Sequence, residues 1–479
     1  MPALIVETVT ASTMAELRAA RDRSTADLVE LRLDGVRDVD VGGALDGRSR
    51  PVIVTCRAAW EGGAFDGDEQ TRLDILRRAI ELGAEYVDVE WRADRRSLPR
   101  RSGTKIVLSH HDFTCTPGDL GDRVRAMAGE GADVLKIAVT ARRLSDCVTL
   151  RDETAIDHPH VAIAMGPAGR ISRLVPLAFG SLWTYGGTAA PGQSPVDELR
   201  VDAKGLAQRP DTRLYAVAGA PLAHSASPAM HNAAFAELGI DAVYVPLETA
   251  DADELLTVAE RFGVEGISVT APLKTGVFAR VTDRDALGTR TGALNTLKRE
   301  HDAWAGRNYD VAGFLSPFDR EGIALAGLRC VVLGAGGAAR TALFALQERG
   351  AGVEVSARRR ERAAQLAKEF GVQVGEWPPR PGWDLLINTT PVGTWPDVEA
   401  IPIAEQAVAG AMVYDLIYNP EETALLKAAR RRGARIIGGL EMLVGQACLQ
   451  FEWWTDRPAP RDVMLAAARR FLTQRQAER

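Results

Sequence analysis

Leu328-Arg329-Cys330-Val331-Val332-Leu333 runs directly into Gly334-Ala335-Gly336-Gly337-Ala338-Ala339-Arg340, and the two stretches read as a buried strand, a tight turn and the first turn of a helix. A GxGxxA pattern lets backbone N–H groups and a helix N-terminus approach a pyrophosphate. A glycine string alone is weak evidence, but strand, turn and helix stand here in the order a dinucleotide site requires. The next strand, 353–356, leads into Ala357-Arg358-Arg359-Arg360. An acidic residue there would suit the ribose hydroxyl of NAD. Arginines suit a 2′-phosphate, or else form a solvated basic helix start. Further apolar strands at 385–388 and 412–415 extend the alternation, so this part of the chain reads as a Rossmann-type α/β domain.

Working outward, 479 residues are too many for one ordinary domain. An apolar share of 46% with 25% charged residues belongs to a globular protein with sizeable cores. The net charge of −6 leaves no electrostatic footprint for nucleic acid or an anionic membrane surface. Cys56, Cys115, Cys147, Cys330 and Cys448 are scattered and form no CxxC, which argues against disulfides and zinc. No basic segment with an apolar run opens the chain, and no stretch approaches the roughly 20 apolar residues that span a bilayer. The expectation is a cytoplasmic protein, monomer or homodimer, whose partners are small molecules rather than nucleic acid or membrane.

The first 190 residues hold eight short apolar segments, at 4–6, 28–33, 52–56, 86–90, 105–109, 134–139, 161–165 and 182–185, with helix-period stretches such as 71–82 and 117–129 between them. Parallel strands need crossover helices, so this pattern predicts a (β/α)8 TIM barrel, with a doubly wound sheet as the competing reading. Ala207–Thr212 lacks periodicity and reads as a linker. A second α/β unit begins at 214–218. The expected division is 1–207 barrel, 213–315 substrate domain, 316–440 nucleotide domain, and 441–479 a helical segment returning to the substrate domain.

In the barrel half, polar residues gather at the C-terminal ends of strands, where barrel enzymes keep their sites. Glu30 and Arg32 share one strand face; Arg57 ends the third strand, with Glu61 just beyond; His111-Asp112 ends the fifth; Arg173 follows the seventh. Lys136 interrupts the apolar Val134–Val139 and must be paired, snorkel to solvent, or have a depressed pKa that frees a nucleophilic amine. Arg57 and Arg173 on the same rim favour the last, since they disfavour a charged amine and suit a carboxylate substrate. His111 fits either an oriented base or a satisfied core histidine.

Glu30-Leu31-Arg32-Leu33-Asp34, Thr55-Cys56-Arg57 with Glu61-Gly62-Gly63, Ser109-His110-His111-Asp112-Phe113, Lys136-Ile137-Ala138-Val139, Met165-Gly166 with Ser172-Arg173, and Pro191-Gly192-Gln193 follow in this order. The set resembles the type I 3-dehydroquinate dehydratases. That resemblance implies an imine between Lys136 and the substrate ketone, proton transfer by His111 with Glu61, and no cofactor. Glu30, Arg32, Arg57, Arg173 and Gln193 would hold the carboxylate and hydroxyls. Two departures are Ala189-Ala190 in a shortened loop where a Ser is usual, and Glu7-Thr8 where a Ser contact is common.

In the second half, Ser225 and Ser227 stand at a helix start and fit an anion cradle or simple N-caps. His224-Ser225-Ala226-Ser227-Pro228, Ser268-Val269-Thr270 through Lys274, Gly292-Ala293-Leu294-Asn295-Thr296, Asn308 with Asp310, Asn388-Thr389-Thr390-Pro391-Val392-Gly393, Asp415 to Pro420, and Gly439–Gln446 are similar to shikimate dehydrogenase. The resemblance implies that Lys274 and Asp310 act on the reacting oxygen. It places Ser225 and Ser227 on the carboxylate, and Thr270, Asn295, Tyr418 and Gln446 on the hydroxyls. NADP would lie on Gly334, Ala335, Gly336, Gly337, Ala338, Ala339, Ala357, Arg358, Arg362, Leu416 and Gly439. Tyr309 and Ser268 depart from the usual Thr and Asn, and Tyr309 bears on the choice between shikimate and quinate. The resulting expectation is a bifunctional shikimate-pathway enzyme acting on 3-dehydroquinate, 3-dehydroshikimate and shikimate. A quinate-utilising enzyme and a regulatory protein that kept both folds are the alternatives.

Overall fold

A computed structural model of the chain describes residues 3–189, 193–202, 208–209 and 211–477. Ala190, Pro191 and Gly192 of the shortened loop, and Ala207 and Pro210 of the linker, lie outside the described residues. Eight strands form the N-terminal sheet: β1 (Leu4–Thr10), β2 (Leu28–Arg32), β3 (Val52–Thr55), β4 (Tyr86–Glu90), β5 (Lys105–Asp112), β6 (Val134–Thr140), β7 (His160–Met165) and β8 (Trp183–Gly186). Their order is β7-β6-β5-β4-β3-β2-β1-β8, with β1 and β2 paired parallel from Val6 opposite Leu28 to Thr10 opposite Arg32. The ends of this order meet at a parallel bridge between His160 and Ser181, where the Leu182 N–H donates to the His160 carbonyl (3.0 Å). The sheet is thus a nearly closed barrel, and the doubly wound alternative, which needs two free edges, falls away.

Strand periodicity of two builds the interior in layers. Val6, Leu28, Ile53, Val107, Val134, Val161 and Trp183 form an apolar plug. Two residues further along several of these strands stand Thr8, Glu30, Thr55, Ser109, Lys136 and Tyr185, so the polar layer lies on top of the plug. The first helix, Met14–Arg23, starts on a capping box in which Thr13 accepts from the Glu16 N–H and Glu16 reaches back. The later crossovers Glu69–Glu81 and Leu120–Ala128 fall close to the helical periods read in the sequence.

The described chain forms two compact units, Met1–Ala223 with Asp241–Val264, and His224–Ile240 with Glu265–Arg479. In the first unit, β9 (Arg213–Gly219) pairs parallel with β10 (Ala242–Glu248), and the helix Ala252–Arg261 follows. Glu254 of that helix accepts from the Ser145 hydroxyl (2.8 Å), the Ser145 N–H (3.1 Å) and Arg143 (3.2 Å), while Phe262 packs on Phe179 at 5.3 Å. These contacts explain why Asp241–Val264 groups with the barrel.

In the second unit β11 (Val264–Val269), β12 (Asp283–Arg284), β13 (Thr296–Glu300) and β14 (Ala303–Arg307) include an antiparallel hairpin, β13 with β14, that turns at His301 with φ 56°. Sequence reading missed this hairpin because its turn, His301-Asp302, lacks the Gly that normally marks one. Six parallel strands complete the chain: β15 (Arg329–Leu333), β16 (Gly352–Ser356), β17 (Gln373–Val374), β18 (Leu385–Asn388), β19 (Met412–Asp415) and β20 (Arg435–Gly438), in the order β17-β16-β15-β18-β19-β20. Val332, Leu385, Ile387 and Tyr414 feed the core on one face; Val331, Leu333, Leu386 and Val413 feed the core on the other. Burial on both faces is why these strands read as unbroken apolar runs. The order reverses beside β15, which puts the Gly334 loop at the switch point of an open α/β sheet. The last helix, Arg461–Ala477, packs on Ser227–Glu237. Among the described residues no helix is long and apolar enough to cross a membrane.

Candidate active sites

A cavity of about 300 Å³ opens at the C-terminal end of the barrel, lined among others by Thr8, Glu30, Arg32, Arg57, Glu61, His111, Lys136, Arg173, Tyr185, Ala189 and Gln193. Lys136, on β6, is 5% exposed. Its Nζ lies 3.1 Å from Glu30 Oε1, 3.2 Å from Asp88 Oδ2 and 4.3 Å from the centre of the Tyr185 ring. Burial works against the ammonium, but Glu30, Tyr185 and Asp88 outweigh it and hold the pKa above the ordinary lysine range. This corrects the expectation of a depressed pKa. The resting lysine is paired and charged.

Arg57 does work against the Lys136 ammonium, as expected, but is outweighed by the carboxylates that it shares. Arg57 is 3% exposed and bonded to Asp88 (2.9 Å), Glu90 (3.2 Å) and the Ser109 hydroxyl (2.6 Å). Glu90 also takes Arg72 at 2.6 Å. Charges therefore alternate through the barrel as Arg72, Glu90, Arg57, Asp88, Lys136 and Glu30. Glu30 is further saturated by the hydroxyls of Thr8 and Thr55, each at 2.9 Å, and Gln193 donates to Thr8 at 3.4 Å. Arg32 is committed to Asp34 through two bonds of 2.8 Å. Arg173 differs. Its Nη1 donates to the Ala164 carbonyl at 3.1 Å, its Nε has no partner among the described residues, and burial lowers its pKa to about 10. It is the guanidinium with capacity left for a carboxylate.

His111 and Glu61 lie together, as the family resemblance implied. Glu61 Oε1 accepts from the His111 backbone N–H (2.7 Å) and lies 2.9 Å from Nδ1. Burial, with Arg57 and Lys136 nearby, keeps His111 neutral far below its usual range. Burial likewise pushes Glu61 up to about 7, against the pull of Arg57. An ionised Glu61 accepts a hydrogen bond from Nδ1–H and leaves Nε2 as the basic nitrogen. Sequence reasoning missed Asp88, Glu90 and Tyr185. Asp88-Val89-Glu90 shows the same alternation that singled out Glu30 and Arg32, so the signal was present.

In the second unit, Lys274 begins the helix Lys274–Arg280 and Asp310 begins the helix Asp310–Glu321. Lys274 Nζ lies 2.5 Å from Asp310 Oδ2, and Asn295 Nδ2 donates to Asp310 Oδ1 at 2.8 Å. Asn308 Oδ1 accepts from the Asp310 N–H at 3.0 Å, capping that helix. Gln446 reaches this helix because both partners are small where they cross. A Cβ at Gly313 would stand 2.8 Å from Gln446 Cβ, and one at Gly445 would stand 2.8 Å from Ser316 Cβ. Ser225 and Ser227 sit together at the start of the helix Ser227–Glu237, with Ser225 Oγ accepting from the Ser227 N–H at 3.4 Å. Thr270 follows β11 and Tyr418 follows β19. Burial raises the Tyr418 pKa.

The nucleotide loop fits a dinucleotide phosphate. Gly334 holds φ 111°, and a Cβ there would meet Thr389 Oγ1 at 2.6 Å, so glycine is required twice over. Nothing lies within 4 Å of a Cβ built at Gly336 or Gly337, which leaves the N-terminus of the helix Gly337–Glu348 open to an anion. Arg358 and Arg362 are exposed and have no ion-pair partner among the described residues, and Ala357 directly follows β16. Leu416 and Gly439 meet at the ends of β19 and β20, where a Cβ on Gly439 would strike the Leu416 carbonyl at 2.2 Å. Among the described residues no group of three or more His, Cys, Asp or Glu is placed to hold a metal.

These two sites agree with what the chain is similar to. Residues 4–202 match the family model of type I 3-dehydroquinase, 217–297 the shikimate dehydrogenase substrate binding domain, and 439–469 the shikimate 5'-dehydrogenase C-terminal domain. The class is thus a dehydroquinase barrel joined to a shikimate dehydrogenase. A chloroplastic bifunctional 3-dehydroquinate dehydratase/shikimate dehydrogenase from Arabidopsis thaliana is 34% identical over 91% of this chain and 79% of its own length. A shikimate dehydrogenase (NADP(+)) from Moorella thermoacetica is 41% identical over 53% of this chain and 91% of its own. Shikimate 5-dehydrogenase from Thermus thermophilus, solved with NADP(H) and shikimate, is 36% identical with a TM-score of 0.51 and covers 54% of this chain and 99% of its own. The chain belongs to the bifunctional 3-dehydroquinate dehydratase/shikimate dehydrogenase family.

Proposed function

We propose that the barrel dehydrates 3-dehydroquinate to 3-dehydroshikimate and that the second half reduces 3-dehydroshikimate to shikimate with NADPH. The observation that carries this reading is Lys136, sealed between Glu30 and Asp88 beside the His111–Glu61 pair in one cavity. One proton leaves Nζ, and His111, held neutral, is available to take it. The amine then adds to the ketone, His111 passes that proton to the carbinolamine hydroxyl, and water departs, giving an iminium and a neutral His111. With Arg72, Arg57 and Lys136 balancing Glu90, Asp88 and Glu30, the buried set is neutral only when Nζ carries charge. The site therefore complements the iminium better than the free amine, and favours the species that must persist through catalysis. The iminium acidifies the adjacent C–H. His111 removes that proton and returns one to the departing hydroxyl, and water then releases the product from Lys136. Arg173 takes the substrate carboxylate, while Glu30, Arg32, Arg57 and Gln193 shape the hydroxyl contacts. No cofactor enters this half.

In the second half NADPH supplies hydride to the carbonyl carbon. Lys274, held by Asp310, delivers the proton to the carbonyl oxygen. Ser225 and Ser227 hold the carboxylate; Thr270, Asn295, Tyr418 and Gln446 hold hydroxyls. Gly334, Ala335, Gly336, Gly337, Ala338 and Ala339 would cradle the pyrophosphate, Arg358 and Arg362 the 2′-phosphate, with Ala357, Leu416 and Gly439 lining the rest. The same reading divides the chain at 1–207, 213–315, 316–440 and 441–479. It places the enzyme in the cytoplasm as a monomer or homodimer that acts on small molecules only. A coupled assay from 3-dehydroquinate should consume NADPH, and borohydride added with 3-dehydroquinate should leave an adduct on Lys136. An adduct elsewhere, or no NADPH consumption, overturns the proposal.

A further inference from the structure

Tyr309 stands between Asn308 and the proton-transfer residue Asp310, yet its side chain is engaged elsewhere. Its hydroxyl accepts from Arg307 Nη1 at 3.1 Å, and its ring meets Trp453 edge-on at 6.3 Å and 71°. The Arg307 guanidinium in turn lies 4.2 Å over the Trp453 ring. Arg307 belongs to β14 and Trp453 to the helix Gly439–Thr455, two turns beyond Gln446. Tyr309 is thus clasped by two elements while it stands immediately before a third, the helix Asp310–Glu321.

What the clasp holds is the Tyr309 backbone, whose N–H donates to Asn295 Oδ1 at 2.8 Å. The Thr296 hydroxyl donates to the same oxygen at 2.8 Å. A carboxamide has one acceptor end and one donor end. With Oδ1 taken twice, Nδ2 must face Asp310 Oδ1, and the flipped amide would set oxygen against carboxylate. Asn295 is nearly fully buried, so water offers little alternative. Asp310, pinned at Oδ1, then presents Oδ2 to Lys274.

We propose that Tyr309 is a positioning residue for the dehydrogenase, acting through Asn295 to orient the Asp310–Lys274 pair, and that it does not select the substrate. The inference rests on the shikimate dehydrogenase reading above. Loosening a group that orients proton transfer costs turnover more than binding, and a misplacement of about 1 Å is worth up to about a hundredfold.

The experiment measures shikimate and quinate oxidation by NADP+ in the full chain, with 3-dehydroquinate dehydration as the internal control for enzyme concentration and thermal unfolding as the control for folding. Tyr309→Ala should lower kcat on shikimate by about tenfold while the KM values for shikimate and NADP+ stay within about twofold. Tyr309→Phe, which keeps the ring against Trp453, should recover most of that loss. The shikimate-to-quinate ratio and the dehydration rate should not move. Because Tyr309 acts through Asn295, adding Tyr309→Ala to Asn295→Ala should cost nothing further. Should Tyr309→Ala fail to fold, Arg307→Met, which releases the Tyr309 hydroxyl and the cation over Trp453 but keeps the Tyr309 ring, should lower kcat by about two- to threefold with the same KM. Wild-type kcat in the variants, a changed substrate ratio, or additive effects with Asn295→Ala would each overturn the inference and leave the dehydrogenase reading standing. A wild-type chain that oxidises no shikimate would overturn both.

Discussion

The two lysines proposed to react in this chain sit in different electrostatic settings. The Lys136 side chain is 7% exposed and belongs to a run of six alternating buried charges, whereas the Lys274 side chain is 30% exposed and among the described residues has Asp310 as its ion-pair partner. A lysine that carries substrate as an iminium must keep a positive charge in place through several steps, and low-dielectric burial among carboxylates strengthens that. A lysine that passes one proton to an oxygen needs exchange with its surroundings, and partial exposure allows it. On the proposed roles, depth of burial separates two kinds of lysine chemistry on one chain.

The comparison predicts its largest effect at Lys136. Lys136→Ala should cut dehydration by at least about a thousandfold and abolish the borohydride adduct, because the covalent route is lost. NADPH-dependent reduction of 3-dehydroshikimate should be unchanged. Residual dehydration near the wild-type rate would break the contrast. Lys274→Ala should be milder, about a hundredfold to a thousandfold in shikimate oxidation with dehydration intact, since general acid–base help is typically worth that much. A loss as complete as that of Lys136→Ala would show that Lys274 does more than move a proton.

A smaller effect is expected at the cofactor. Arg358 is exposed and uncommitted, so Arg358→Ala should narrow the preference for NADP over NAD by about ten- to a hundredfold in kcat/KM. A wild-type enzyme that prefers NAD would contradict this placement of the 2′-phosphate.

The smallest effect separates the sites by pH. Burial pushes Glu61 up to about 7, and its ionised form holds the His111 proton, so dehydration should rise with pH through about 7. Glu61→Gln should lower that rate and remove the rise. For stability the sign is opposite. A carboxyl whose folded pKa is raised favours the folded state below its unfolded value near 4.5, and that contribution is lost as pH rises through about 7. Glu61→Gln should therefore raise the barrel Tm by about 2 °C at pH 8, and by less at pH 5. An equal change at both pH values would show that Glu61 is not the titrating group.

Much of this molecule was legible before folding. The eight apolar segments and the Gly334–Ala339 loop follow from local pattern, because strand and helix periods and phosphate loops are written in neighbouring residues, whereas the motifs around Lys136, His111, Lys274 and Asp310 were legible through family resemblance. The antiparallel β13–β14 pair was not legible, since its turn carries no glycine. Charge state was less legible still. Lys136 in an apolar strand left a paired, a snorkelling and a neutral amine open, and Arg57 and Arg173 on the same rim favoured the neutral one. Tertiary structure decided otherwise, by placing Glu30, 106 residues away, and Asp88, 48 residues away, within 3.2 Å of Nζ, and by giving Arg57 to Asp88 and Glu90. Local sequence specifies which ionisable groups a strand carries. Their protonation depends on partners that only barrel closure brings within a few ångströms, where the Coulomb interaction is strong enough to outweigh burial.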